Sequence, residues 1–89
     1  MERRHIVFHG RVQGVGFRIT LFQKAMKYQL TGWVRNLSNG CVESCLQGPT
    51  EKINRVIQDM NDIIYIQIDD IEQEACDVLP SEKQFEIKY

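Results

Sequence analysis

Gly10, Gly14 and Gly16 fall within one short stretch, Gly10-Arg11-Val12-Gln13-Gly14-Val15-Gly16-Phe17-Arg18, between a β-rich run and a segment of helical spacing. Glycine at that density lets the backbone turn tightly and aim successive N–H groups inward, which makes an anion-binding nest. A helix that follows adds the positive end of its dipole. Arg18 at the helix entrance adds a planar fork of donors that matches phosphate geometry. The local expectation is therefore strand, phosphate cradle, helix. The stretch is not a nucleotide P-loop, because no Gly-Lys-Ser/Thr ends it, and it lacks the Gly-x-Gly-x-x-Gly spacing of a dinucleotide site.

The flanking segments extend this frame. Ile6-Val7-Phe8 reads as the first strand. Phe17, Leu21, Ala25 and Tyr28, widened by Phe22 and Met26, recur at helical spacing, and Lys24 and Lys27 suit the C-terminal end of that helix. Leu30–Leu37 and Cys41–Gln47 read as strands joined at Asn39-Gly40, a strong hairpin signal. A loop of two or of four residues puts Trp33, Leu37, Val42 and Leu46 on one face, read as the core side, with Arg35 reaching out at an edge. Val34, Asn36, Cys41 and Cys45 then share the other face. Gly48-Pro49-Thr50-Glu51 reads as a helix start, and Ile53, Val56, Ile57 and Met60 give that helix one apolar stripe. Ile64, Ile66 and Ile68 alternate with polar residues and predict another strand. Asp69, Asp70, Glu72, Glu74 and Asp77 read as a solvated edge or loop, and Phe85 and Ile87 as a last short strand. The order β-α-β-β-α-β plus a terminal strand predicts an α+β, ferredoxin-like sandwich: a split βαβ arrangement with an antiparallel sheet and two helices on one face.

At 89 residues the chain is expected to form a single domain over positions 1–89. No apolar run is long enough to span a bilayer, and the basic start is followed by too few apolar residues for a signal peptide. A cytoplasmic monomer is expected. The net charge of −1 conceals an uneven distribution, with seven Lys/Arg against two Asp/Glu up to position 45 and four against ten beyond it. A positive half that carries the glycine loop suits an anionic substrate, or the two halves attract each other across the fold. The balance argues against nucleic acid as a partner, and Cys41-Val42-Glu43-Ser44-Cys45-Leu46 offers no aromatic platform for RNA bases. Cys41, Cys45 and Cys76 read as free thiols acting as small hydrophobes rather than as a disulfide or metal set.

The glycine stretch, together with Gly32-Trp33-Val34-Arg35-Asn36 and Gly40-Cys41-Val42-Glu43 in the same order, resembles the acylphosphatase family. The resemblance implies the ferredoxin-like sandwich and hydrolysis of an acyl phosphate to carboxylate and inorganic phosphate. It implies further that the loop of Arg11, Val12, Gln13, Gly14, Val15, Gly16 and Phe17 holds the phosphoryl oxygens. Arg18 would then bind phosphate and neutralise charge, and Asn36 would hold the attacking water. No metal or cofactor is implied. Asn39 stands where the family commonly has Asp, Cys41 where it usually has Thr, and Asn61–Ile66 replaces the family's usual Gly-Pro-x-Ala stretch. Gln13 is expected to tie down backbone groups. Glu43 is expected to be structural, Trp33 and Phe17 core residues, and His5 and His9 ordinary strand residues near the sheet edge. The alternative reading is a non-catalytic phosphate- or acyl-phosphate-binding module of the same fold. The residues do not name the acyl group.

Overall fold

Ile6 and Phe8, fully buried, alternate with half-exposed Val7 and His9 along β1, Glu2–Arg11, so one face of the strand is built for a core and the other is not. The computed structural model describes residues 1–89. After β1 come α1 (Phe17–Lys27), β2 (Thr31–Asn36), β3 (Val42–Gly48), α2 (Thr50–Asn61), β4 (Gln67–Cys76) and β5 (Phe85–Ile87). The sheet order is β4-β1-β3-β2-β5. β1 pairs antiparallel with β3 and β4, β2 antiparallel with β3, and β2 parallel with β5. Each helix crosses between strands that are separated by a third, which is the split βαβ arrangement of a ferredoxin-like α+β sandwich.

The core lies between sheet and helices. Ile6, Phe8, Val34, Val42 and Leu46 meet Leu21 and Ala25 of α1 and Ile53, Val56 and Met60 of α2, all fully buried. The stripe on α2 falls at i, i+3, i+4 and i+7 as its spacing predicts, and Pro49 stands at its N-cap with Glu51 in the first turn. Phe17 joins the core and stacks tilted on Phe8, with ring centroids 4.9 Å apart.

Three expectations are corrected. The β2–β3 hairpin loop is neither two nor four residues long. Asn36 pairs with Val42, and Leu37 N–H donates to Cys41 C=O at 2.8 Å, leaving Ser38, Asn39 and Gly40 as a three-residue loop. Gly40 closes it at φ 92°, the left-handed position such loops require. The odd count reverses the parity of β2, so Val34 is fully buried and Trp33 lies on the sheet face away from the helices. There its ring meets Arg35 and Lys88, with the cationic groups 5.4 Å and 4.6 Å from its centroid.

The segment from Ile63 to Ile66 is a turn, not strand. Ile63 N–H donates to Met60 C=O and Ile66 N–H to Ile63 C=O, and strand geometry starts at Gln67. Ile63 and Ile66, three apart, face the core, whereas Ile64 is fully exposed. The acidic run that follows is β4 itself, an edge strand whose charges blunt its free side. That places β1, with His5 and His9, inside the sheet rather than at its edge. The oppositely charged halves of the chain do meet, in the Arg3–Glu82 and Lys24–Asp59 pairs.

Candidate active site

The loop between β1 and α1 is held by its apolar side chains and leaves its backbone donors free. Val12 and Phe17 are buried and Val15 packs against the core. Gly14 and Gly16 take φ of 73° and 75°. The backbone N–H groups from Val12 to Ile19 have no acceptor within the protein, and Thr20 N–H, bound to Gly16 C=O at 3.1 Å, is the first that does. Gly16 is the N-cap of α1, no side chain caps that end, and no acid lies in its first turn. A helix start left in this condition combines free amides with the positive end of the dipole.

Gln13 ties this loop to the β2–β3 hairpin. Its Nε2 donates to Leu37 C=O at 2.7 Å and to Cys41 C=O at 2.8 Å, as expected of a residue that fastens backbone groups. Since Asn36 is the last residue of β2, directly before Leu37, the clamp sets the distance between loop and asparagine.

A pocket of about 200 Å³ opens where these elements meet. Val12, Gln13, Gly14, Gly16, Phe17 and Arg18 line it, and so does Asn36. Arg11 ends β1 opposite Gln67, and neither Arg11 nor Val15 is part of the lining. Ile19, Ile87 and Tyr89 complete the wall. The contribution of Ile87 and Tyr89 has no signal in the sequence, because it depends on β5 pairing parallel to β2.

Arg18 is the one charged side chain in the lining, which contains no His, Asp or Glu. Its guanidinium has no carboxylate partner. It donates to Lys88 C=O at 3.3 Å and lies 4.8 Å from the centroid of the Tyr89 ring. The Asn36 side chain is exposed and bonds no protein group. Free amides, one guanidinium without a carboxylate partner and one free carboxamide form a donor set suited to a tetrahedral oxyanion and a neighbouring water.

Glu43 is a structural residue. Burial works against its charge, but hydrogen bonds from His5 and Arg35, both 2.6 Å long, outweigh burial and hold its carboxyl below the usual range.

The topology and the donor-lined pocket define a ferredoxin-like domain equipped to handle an oxyanion. The acylphosphatase family model matches residues 4–87. An acylphosphatase of Geobacillus thermodenitrificans is 40% identical over 90 aligned positions, covering 100% of this chain and 96% of the relative. One of Clostridium beijerinckii is 41% identical over 93 positions and covers both chains completely. The crystal structure of acylphosphatase from Bacillus subtilis superposes with a TM-score of 0.92 at 32% identity, covering 100% of each chain. The chain belongs to the acylphosphatase family, and with it to the hydrolases that act on acid anhydrides.

Proposed function

We propose that the chain hydrolyses a small acyl phosphate by direct attack of a water held by Asn36, with the phosphoryl group bound by the 12–17 loop and Arg18. The observation that carries this reading is the convergence of Arg18, Asn36 and the free loop amides on one pocket without a general base. Phosphoryl transfer demands in-line positioning and stabilisation of charge on the equatorial oxygens, more than covalent help from the protein. Amides and guanidinium supply the second requirement, and Asn36, in the same lining, supplies the first.

The leaving group explains why so little machinery suffices. A carboxylate is the anion of an acid with a pKa of about 4, so it departs without being protonated. A phosphoryl oxygen takes the proton of the attacking water, which removes the need for a protein base. The products are a carboxylate and inorganic phosphate, and the step calls on no metal ion.

Release of phosphate from an aryl acyl phosphate, measured with a chelator present, tests this. Arg18→Ala and Asn36→Ala are each expected to lose at least about a hundredfold in turnover, the scale for removing one preorganised donor. Arg18→Ala should also lose affinity for inorganic phosphate, whereas Asn36→Ala should keep it. Either variant retaining full turnover while folded, or a wild type silenced by the chelator, refutes the assignment.

A further inference from the structure

The sheet face opposite the helices carries a second set of reactive side chains. Cys41 Sγ lies 3.1 Å from His9 Nδ1, and His9 Nε2 lies 2.6 Å from a carboxylate oxygen of Glu72. The three residues come from just before β3, from β1 and from β4. An ionised carboxylate only accepts hydrogen bonds, so Nε2 carries the hydrogen and donates to Glu72. The lone pair on Nδ1 is then left to accept the thiol S–H. Nucleophile, base and orienting acid stand in the order that activates a thiol for attack.

The other cysteines lack this environment. Cys45, as buried as Cys41, bonds no imidazole, and burial pushes its thiol up to about 11, where little thiolate forms near neutrality. Cys76 is exposed and has no imidazole partner.

We propose that Cys41 is a reactive thiol, activated by His9 and Glu72, which exchanges with small disulfides, and that the resulting mixed disulfide loosens the phosphate loop. In this exchange the Cys41 sulfur attacks one sulfur of the disulfide and gives its proton to His9 Nδ1. The old S–S bond breaks, a new one joins Cys41 to the substituent, and the departing thiolate takes up the proton. Cys41 is oxidised and the disulfide is the oxidant, reduced to a thiol.

The link to the loop is the peptide carbonyl of the same residue. Cys41 C=O is one of the two acceptors that hold Gln13, and Leu37 C=O, the other, lies across the same hairpin. Cys41 is only 7% exposed, so a substituent on its sulfur has no room unless the hairpin end shifts. The tight fit also restricts the partner to small disulfides. The consequence for phosphate binding rests on the function proposed above.

Labelling by dipyridyl disulfide of the full chain carrying Cys45→Ser and Cys76→Ser tests the thiol. Cys41 should react at least about a hundredfold faster in this parent than with His9→Asn added, the lower range of a positioned base. Glu72→Gln, on the exposed edge strand, should give an intermediate rate, and all three proteins should label alike in urea. Equal rates in the folded proteins overturn the activation. The coupling is read without any ligand, from the NMR signals of the Gln13 side-chain amide. These should move toward free-amide positions on labelling and return with reductant, and unmoved signals overturn the coupling. Failure of the labelled protein alone to hydrolyse an acyl phosphate supports the inference. A protein inactive before labelling refutes the proposed function and leaves the thiol to be decided by the rates.

Discussion

Replacing Gln13 by alanine removes both hydrogen bonds that fasten the glycine loop to the hairpin. The two carbonyls it leaves are not orphaned. Cys41 C=O still accepts Leu37 N–H at 2.8 Å and Leu37 C=O still accepts Gly40 N–H at 3.2 Å. The loss is therefore that of two net hydrogen bonds with no unsatisfied group, about 1–3 kcal/mol in total. A domain of this kind has roughly 5–15 kcal/mol of stability, so the variant stays more than about 95% folded. Turnover should nevertheless fall roughly tenfold or more, because a small misplacement of the amides relative to Asn36 is expensive for an oriented reaction. Urea unfolding gives the first quantity from the shift in midpoint at constant slope, and phosphate release from an acyl phosphate gives the second. Turnover unchanged in a measurably destabilised variant would show that loop and asparagine are positioned independently. A destabilisation above about 4 kcal/mol would show that the carbonyls lose their backbone donors as well.

Two further outcomes follow from local geometry. A Cβ at Gly32 would stand 1.9 Å from Cys45 C=O, at a φ of 136°, so Gly32→Ala should cost about 3 kcal/mol or more in denaturant unfolding, or prevent folding. The carboxyl of Glu43 is held below its ordinary value of 4.5 in the folded chain. A depressed pKa contributes stability above the unfolded value that is lost as pH falls through the folded one. Unfolding free energy should thus drop below about pH 4.5, and Glu43→Gln should flatten that part of the curve. An identical acid limb in the variant would show that other carboxylates carry it.

The fold and the pocket were legible to different depths. The stripe Ile53, Val56, Ile57 and Met60 faces the core as its spacing predicts, because helical periodicity is a local property of the chain. Gly14 and Gly16 take the positive φ expected of a nest, and Gln13 ties backbone groups as expected. Parity in the hairpin was not legible. Asn39-Gly40 signals a turn but not its length, and one residue more or less exchanges the fates of Trp33 and Val34. The isoleucines at 64, 66 and 68 mimic a strand because alternation and an i, i+3 turn share too few positions here to be told apart. Cys41 meeting His9, and Tyr89 meeting Arg18, are long-range contacts that no local pattern encodes.

The hairpin loop has a meaning beyond its turn. Side-chain chemistry varies by degrees, but strand parity is either odd or even. Asn36 shares a face with Val34 and reaches the pocket because Ser38, Asn39 and Gly40 are an odd number of residues. One residue fewer would bring Trp33 inward, swing Asn36 to the far side of the sheet and displace the Leu37 carbonyl that holds Gln13. Along this hairpin the chain can drift by substitution and keep its chemistry, whereas a change in length by one residue has no partial outcome. Evolution of the site is thus continuous in composition and quantised in length.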